Sequence, residues 1–447
     1  MRKHVLIVLA LLILLGGGVF YWLSRPDVAT KPVEAVMGWR PDLAAPRKQT
    51  IPTVKIADVV GWQGGAKPVP APGLQVAAFA EGLVHPRWLY RLPNGDVLVA
   101  ETNSPPREGG GITGWVMGLL MNKAGAGVPS ANRITLLRDT NGDGVADVRS
   151  AFMTGLNSPF GMALVGDQLY VANTDALVRV PYATGTTRIT ARPETIVRLP
   201  GGGNHWARNV IPSPDGKTLF VSVGSASNIG EKGMDAEKYR ANILEVNPQR
   251  KSFRILAAGL RNPNGMAYEP KSGRLWTVVN ERDMIGSDMP PDYMSAVDYG
   301  DNFGWPWFYW GGHPDARVEP ANPALQEYSK RPDYALGPHT ASLGLAFAGD
   351  AKLGSRFANG AFVGQHGSWN RVPVSGYKVL YVPFGANGFP VKGVKPIDVL
   401  TGFLDKDGKA QGRPVGVITD KAGALLVADD VGDTIWRVSA AQAVAAR

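Results

Sequence analysis

The chain contains no cysteine, which excludes disulfides, thiol catalysis, cysteine-ligated zinc and a lipidated N-terminal cysteine. No block of consecutive lysines or arginines accompanies its formal net charge of +9. A recognition-helix pattern and basic residues interleaved with aromatics are also missing, so nucleic acid is not an expected partner. The positive excess reads as a solvated basic surface, with part of it suited to an anionic cofactor. Low-complexity sequence is absent as well. Gly 55 and Pro 35 recur at turns instead of clustering, which suits many short strands joined tightly.

What is present begins with the N-terminus. Met1-Arg2-Lys3-His4 precedes an uncharged apolar run from Val5 to Leu23, about 19 residues or roughly 28 Å as a helix, enough to cross a bilayer. Positive residues before the run keep a short tail cytoplasmic and send the bulk outward. A cleaved signal is the rival. Gly16 to Leu23, however, ends in bulky aromatics without a small-x-small cleavage pattern. The expectation is a single-pass inner-membrane anchor over 1–24, a Pro-rich tether over 25–71, and a periplasmic domain over 72–447.

That domain repeats a pattern: a Gly or Pro-rich lead, a turn with glycine, then four to six apolar residues. Copies follow Gly95, Gly166, Gly216, Gly273, Gly360 and Gly423. Many lead into a further short strand, such as Asn242–Val246 or Thr434–Val438. Six irregularly spaced units predict an all-β, six-bladed β-propeller behind an N-terminal transmembrane helix. Leu74–Phe79 is placed to complete the last blade and close the ring. A two-sheet sandwich array is the structural alternative. The apolar insertion Gly114–Met121 is too short to span a membrane and reads as a lid, an interfacial segment or a packing flap.

One signal of metal chemistry stands on spacing alone. Asp139, Asn141, Asp143 and Asp147 occupy positions 1, 3, 5 and 9 of a loop with Gly144 at 6, the pattern of a calcium-binding turn. Position 12, usually a bidentate acid, is Ser150. An acidic, glycine-bearing β-turn without metal is the competing reading.

Other motifs recur in a shared order. They are His205 with Arg208, then Arg261-Asn262-Pro263-Asn264-Gly265, Asn280-Glu281-Arg282-Asp283, and Gly300 to Pro306. Gln365 to Arg371 and Gly412-Arg413-Pro414-Val415-Gly416 follow. In these the chain resembles the pyrroloquinoline quinone (PQQ) dependent sugar dehydrogenases of the soluble quinoprotein glucose dehydrogenase superfamily. The likeness is nearer to the L-sorbosone dehydrogenase-like branch and covers about residues 72 to 440.

The resemblance implies PQQ and calcium as cofactors. It makes His205 the general base that takes a substrate hydroxyl proton, a task suited to neutral imidazole. Arg261 lies, by the same likeness, near the reacting carbonyl, where it would stabilise negative charge. Arg208, Asn262, Glu281, Arg371 and Arg413 are the expected cofactor contacts, the arginines matching a flat tricarboxylate. A face of Trp369 or an edge of His339 at the mouth is an equal alternative to packing. The glucose enzymes carry an aspartate where this chain has Ser225. The expected activity is oxidation of an aldose or aldehyde-bearing sugar, with electrons passed to a cytochrome or quinone. A calcium-dependent propeller lactonase or esterase, and a non-catalytic carbohydrate- or protein-binding propeller, are the alternatives.

Overall fold

The computed structural model describes residues 2–47, 49, 53–106 and 111–441. Six antiparallel sheets of four or five strands follow one another along the chain. Their second strands are the apolar runs that follow the repeated turns: Val97–Glu101, Gln168–Ala172, Leu219–Val223, Leu275–Val279, Gly360–Gln365 and Leu425–Asp429. Val97–Glu101, Leu275–Val279 and Leu425–Asp429 are buried at every residue. Both faces pack against neighbouring sheets, so these runs are mostly apolar along their length instead of alternating.

The first strands line a central channel. Pro86–Arg91, Met162–Val165, Arg208–Pro212, Pro263–Tyr268, Ser342–Phe347 and Pro414–Thr419 each contact the next, and the last contacts the first. Leu74–Ala80 joins the final sheet, with Val76 opposite Val438. The ring therefore closes as a six-bladed propeller, in which an N-terminal strand completes the C-terminal blade and removes a free edge.

Ring closure demands unusually close backbone approach. A Cβ on Gly344 would lie 2.1 Å from the Val415 carbonyl oxygen, and one on Gly416 would lie 2.8 Å from that of Arg87. Glycine at these places lets consecutive inner strands pack main chain to main chain. Apolar clusters fill the wedges farther out. Between the fourth and fifth blades Trp276, wholly buried, meets Phe384 and Phe389 edge-on at 5.0 and 5.6 Å, a favoured aromatic arrangement.

The described residues of 25–71, expected as a Pro-rich tether, run along the propeller. Met37–Gly38 pairs with Leu336 and Ala335 as a fifth strand of the fourth blade, and Val69–Pro70 pairs with Thr401 and Leu400 on the fifth blade. Val36 and Met37 are buried, each worth about 1.5–3 kcal/mol on full burial. Trp62 packs on Phe403 and Trp436 and donates to Asp429 Oδ2 at 2.7 Å. Pairing in two-residue steps leaves no periodicity to read. Ahead of this segment, Arg2–Leu23 is a single helix, of which His4–Leu23 is long and apolar enough to cross a membrane.

Loops from the second strands to the third, and from each blade to the next, gather at one end of the channel. The apolar insertion belongs to this end, as the helix Gly111–Lys123. The Asp139–Asp147 loop joins third and fourth strands of the first blade and lies at the other end. The ring makes a clear demand on stability. Gly344→Ala should lower the melting temperature markedly, since overpacking costs about 1–3 kcal/mol and backbone yields least. A thermal melt indistinguishable from the parent would contradict this close approach.

Candidate active site at the channel mouth

The loops at the mouth enclose a cavity of about 250 Å³ walled by Ile56, Leu120, Met121, Ala124, Asn204, His205, Asn228, Arg261, Asp283, Met284 and Trp369. His205 enters from the lead into the third inner strand. Its Nδ1 is 2.9 Å from the Ser225 carbonyl oxygen and 3.0 Å from Ser225 Oγ. Ser225 Oγ donates onward to the Ser227 carbonyl at 2.7 Å, so its own lone pairs face the ring. Nδ1 therefore carries the proton, and Nε2 is left as the acceptor. Burial, reinforced by the Arg261 cation, holds this imidazole well below its usual range. A neutral imidazole results.

Gly224 makes the approach possible: a Cβ there would lie 2.3 Å from Asn262 Oδ1 and 2.6 Å from His205 Cβ. Arg261 and Asn262 precede the fourth inner strand. The Arg261 guanidinium, 3% exposed as a residue, bonds Asn228 Oδ1 at 2.9 Å, the Asn228 carbonyl at 3.2 Å and the Glu281 carbonyl, and pairs with Asp283 at 3.2 Å. Asp283 accepts from Asn370 Nδ2 at 2.7 Å and lies 3.5 Å from His339 Nδ1. Burial opposes its charge, yet Arg261, His339 and Asn370 outweigh that and pull it down to about 2. Asp283 thus supplies the fixed negative charge that Ser225 lacks. His339 braces this carboxylate and is itself held by the Gly286 carbonyl at 2.9 Å.

The other expected contacts lie outside the cavity wall. Arg208, wholly buried, donates to the carbonyls of Pro200, His205 and Ala207 and so fixes the His205 loop. Arg371 binds the carbonyls of Ser287, Pro373 and Lys31 and ties the N-terminal segment down. Arg413 stands at the cavity edge, where it grips the carbonyls of Ala124, His366 and Gly367. The Glu281 carboxylate is buried, which pushes it up to about 7, with Asp292 adding to the rise.

At the far end, Asp139 accepts from the Gly142 and Gly144 amides, and Asp147 from Thr140. Asn141 Nδ2 donates to Asp143 at 3.1 Å. These oxygens are turned to the loop's own backbone. Among the described residues no set of three or more His, Asp or Glu is arranged to hold a metal.

Sequence reasoning missed a second charged cluster across the mouth. Asp430 accepts from Arg87 Nη1 at 2.6 Å, lies 2.7 Å from His366 Nε2 and 3.4 Å from His85 Nε2. Burial lowers His85 to about 4 and His366 to about 3. Asp430 stays ionised far below the carboxylate range, as the facing histidines and Arg87 overcome its burial. A positional signal existed. His85-Pro86-Arg87 opens the first inner strand as Asn262-Pro263 and Arg413-Pro414 open theirs, so register within the repeat marks these residues. Asp283 closes the Asn280-Glu281-Arg282-Asp283 motif but carried no role, and Asn228 stood outside the ordered motifs.

This geometry makes one prediction. Nitrogen-15 histidine spectra near pH 6 should show His205 neutral and protonated on Nδ1. A charged ring at that pH, or a proton on Nε2, overturns the assignment of the base.

Comparison with known proteins places this arrangement. A family profile described as TrAA12-like matches residues 68–292 and 316–441. The PQQ-dependent pyranose dehydrogenase of Coprinopsis cinerea is 26% identical over 366 residues, 71% of this chain but 45% of that enzyme. The structure of its PQQ domain in holo form superposes with a TM-score of 0.66 at 21% identity, covering 86% of this chain and all of that one. A calcium structure of the Trichoderma reesei AA12 enzyme gives 0.67 at 19% identity, covering 84% of this chain and 97% of that one. The structural likenesses establish a shared propeller. The profile spans most of the chain, and the protein belongs to the TrAA12-like family.

Proposed function

We propose that the protein oxidises an aldose, or a related aldehyde-bearing sugar of the sorbosone kind, with PQQ and calcium bound at the channel mouth. Membership of the TrAA12-like family and the likeness to a PQQ-dependent pyranose dehydrogenase support sugar oxidation, and the calcium form of a structural neighbour supports the metal. The observation that carries the reading is His205. A neutral imidazole, with its proton fixed on Nδ1 toward Ser225, turns Nε2 to a cavity it shares with Arg261.

The residues fit the cofactor. The cavity offers the flat Trp369 and the Arg261 guanidinium, with Arg413 at its edge. At the same end, the Oδ1 atoms of Asn370 and Asp430 are buried without a protein partner. Arg261, Asn262 and Arg413 would hold PQQ, with Glu281 as a metal or cofactor contact. When bound, PQQ supplies the acceptor for a hydride.

The chain's own residues do the rest. His205 Nε2 takes the proton of the substrate hydroxyl, and Asp283 favours the imidazolium that forms. Asn228 and Asp283 hold Arg261 in place, where its charge favours a developing oxyanion. Ile56, Leu120 and Met121 exclude water. The helix Arg2–Leu23 is read as a retained inner-membrane anchor with the domain in the periplasm, where a cytochrome or a membrane quinone takes the electrons.

Purified protein given PQQ and calcium should bind the cofactor, seen in its absorbance, and reduce a dye with members of an aldose panel. His205→Gln should keep cofactor binding yet lose about 10²–10⁴ in turnover, whereas Arg261→Ala should weaken retention. Failure of a folded sample to bind PQQ would sink the assignment. Unchanged turnover in His205→Gln would remove His205 as the base.

A further inference from the structure

We infer that the site-bearing end of the propeller rests on a lipid bilayer, with the helix Gly111–Lys123 as a second contact beside the N-terminal span. This rests on Arg2–Leu23 being a retained span and is independent of the reaction proposed above. Two separate parts of the chain lead to it.

The first is the short reach between the span and the mouth. The helix ends with Tyr21 and Trp22, both largely exposed, and the Arg25 guanidinium sits 5.1 Å over the Tyr21 ring. Aromatic and basic residues in this order mark the edge of the hydrocarbon. Two residues later the chain is clasped. The Asp27 carboxylate accepts from the Ser287 amide at 2.5 Å, its carbonyl accepts from Ser287 Oγ, and its amide donates to Thr53 Oγ1 at 2.7 Å. Thr30 then bonds the buried Asp288 through both amide and hydroxyl, at 2.7 and 2.8 Å.

Ser287 and Asp288 belong to the loop that carries Asp283 and Met284 to the cavity. Four residue steps separate Leu23 from Asp27, at most about 14 Å of extended chain. Were the opposite end of the propeller to face the membrane, the chain would have to traverse the length of a blade, and it has no residues to spare for that.

The second part is the insertion. From Gly111 to Asn122 it carries no charge, and the first, Lys123, pairs with Asp58 at 3.1 Å. The helix is too short to span a bilayer. It emerges at the mouth, where Leu120, Met121 and Ala124 wall the cavity while Leu119 stands 50% exposed. An uncharged helix held a short reach from where the chain enters the membrane finds its apolar partner in lipid.

The absence of cysteine makes the test direct. Full-length protein carrying Leu119→Cys, and separately Lys217→Cys in the turn at the opposite end, is labelled with an environment-sensitive fluorophore. Each is reconstituted into phosphatidylglycerol–phosphatidylethanolamine nanodiscs whose acyl chains carry spin labels. The Leu119 label should lose most of its emission and the Lys217 label should keep its own. Asn122→Cys repeats the measurement if the Leu119 variant does not fold. Equal quenching at both ends, no quenching at either insertion position, or shielding of that label by a second copy in cross-linking overturns the proposal. So does a membrane-purified chain whose N-terminus begins beyond Leu23.

Discussion

The close approach of consecutive inner strands is the constraint on which the rest depends. Side chains cannot stand between Gly344 and Val415, or between Gly416 and Arg87, so the inner ring is held at main-chain distance. With the ring that tight, loops from all six blades converge on one narrow mouth. Residues far apart in sequence, such as His205, Asp283 and Trp369, can then share one cavity. Outer strands only have to fill wedges, which apolar residues of ordinary size do. Two of them are short pieces of the N-terminal segment, added where a sheet edge would otherwise stay open.

Charge at the mouth is costly because it is buried, and the structure answers by pairing it. Arg261 faces Asp283, and Arg87 faces Asp430. His205, His85 and His366 stay neutral because protonating them would leave an added cation with little solvent. His205 differs from His85 and His366 in what its ring meets. Those two lie against a carboxylate, whereas His205 lies against a carbonyl and a hydroxyl. A ring oriented by neutral acceptors keeps its second nitrogen available, and the charge that favours its protonation comes from Asp283.

The N-terminal segment links this chemistry to position. The same stretch that leaves the apolar helix is clasped by Ser287 and Asp288, adds Ile56 to the cavity wall, and covers the edges of two blades. Arg371, expected among cofactor contacts, is engaged there instead, on the carbonyls of Ser287 and Lys31. Its guanidinium fastens loop to segment.

Local sequence by itself determined the blades. Glycine turns followed by apolar runs mark all six second strands, and the early strand Leu74–Phe79 was legible as the one that closes the ring, because each is a short apolar run beside a turn. His205 and Arg261 were legible through the order of their motifs. Tertiary structure decided what those motifs do. Arg208 turns back on the carbonyls of its own loop, at Pro200, His205 and Ala207, whereas Arg371 takes those of Ser287 and Lys31, far away in sequence. Asp283, Asn228 and Asp430 became site residues only when loops from different blades met. The calcium-like loop was legible as spacing, yet its oxygens are turned to its own amides at the far end of the channel. Burial and turn geometry are written in consecutive residues; partners for buried charge are set by which loops the closed ring brings together.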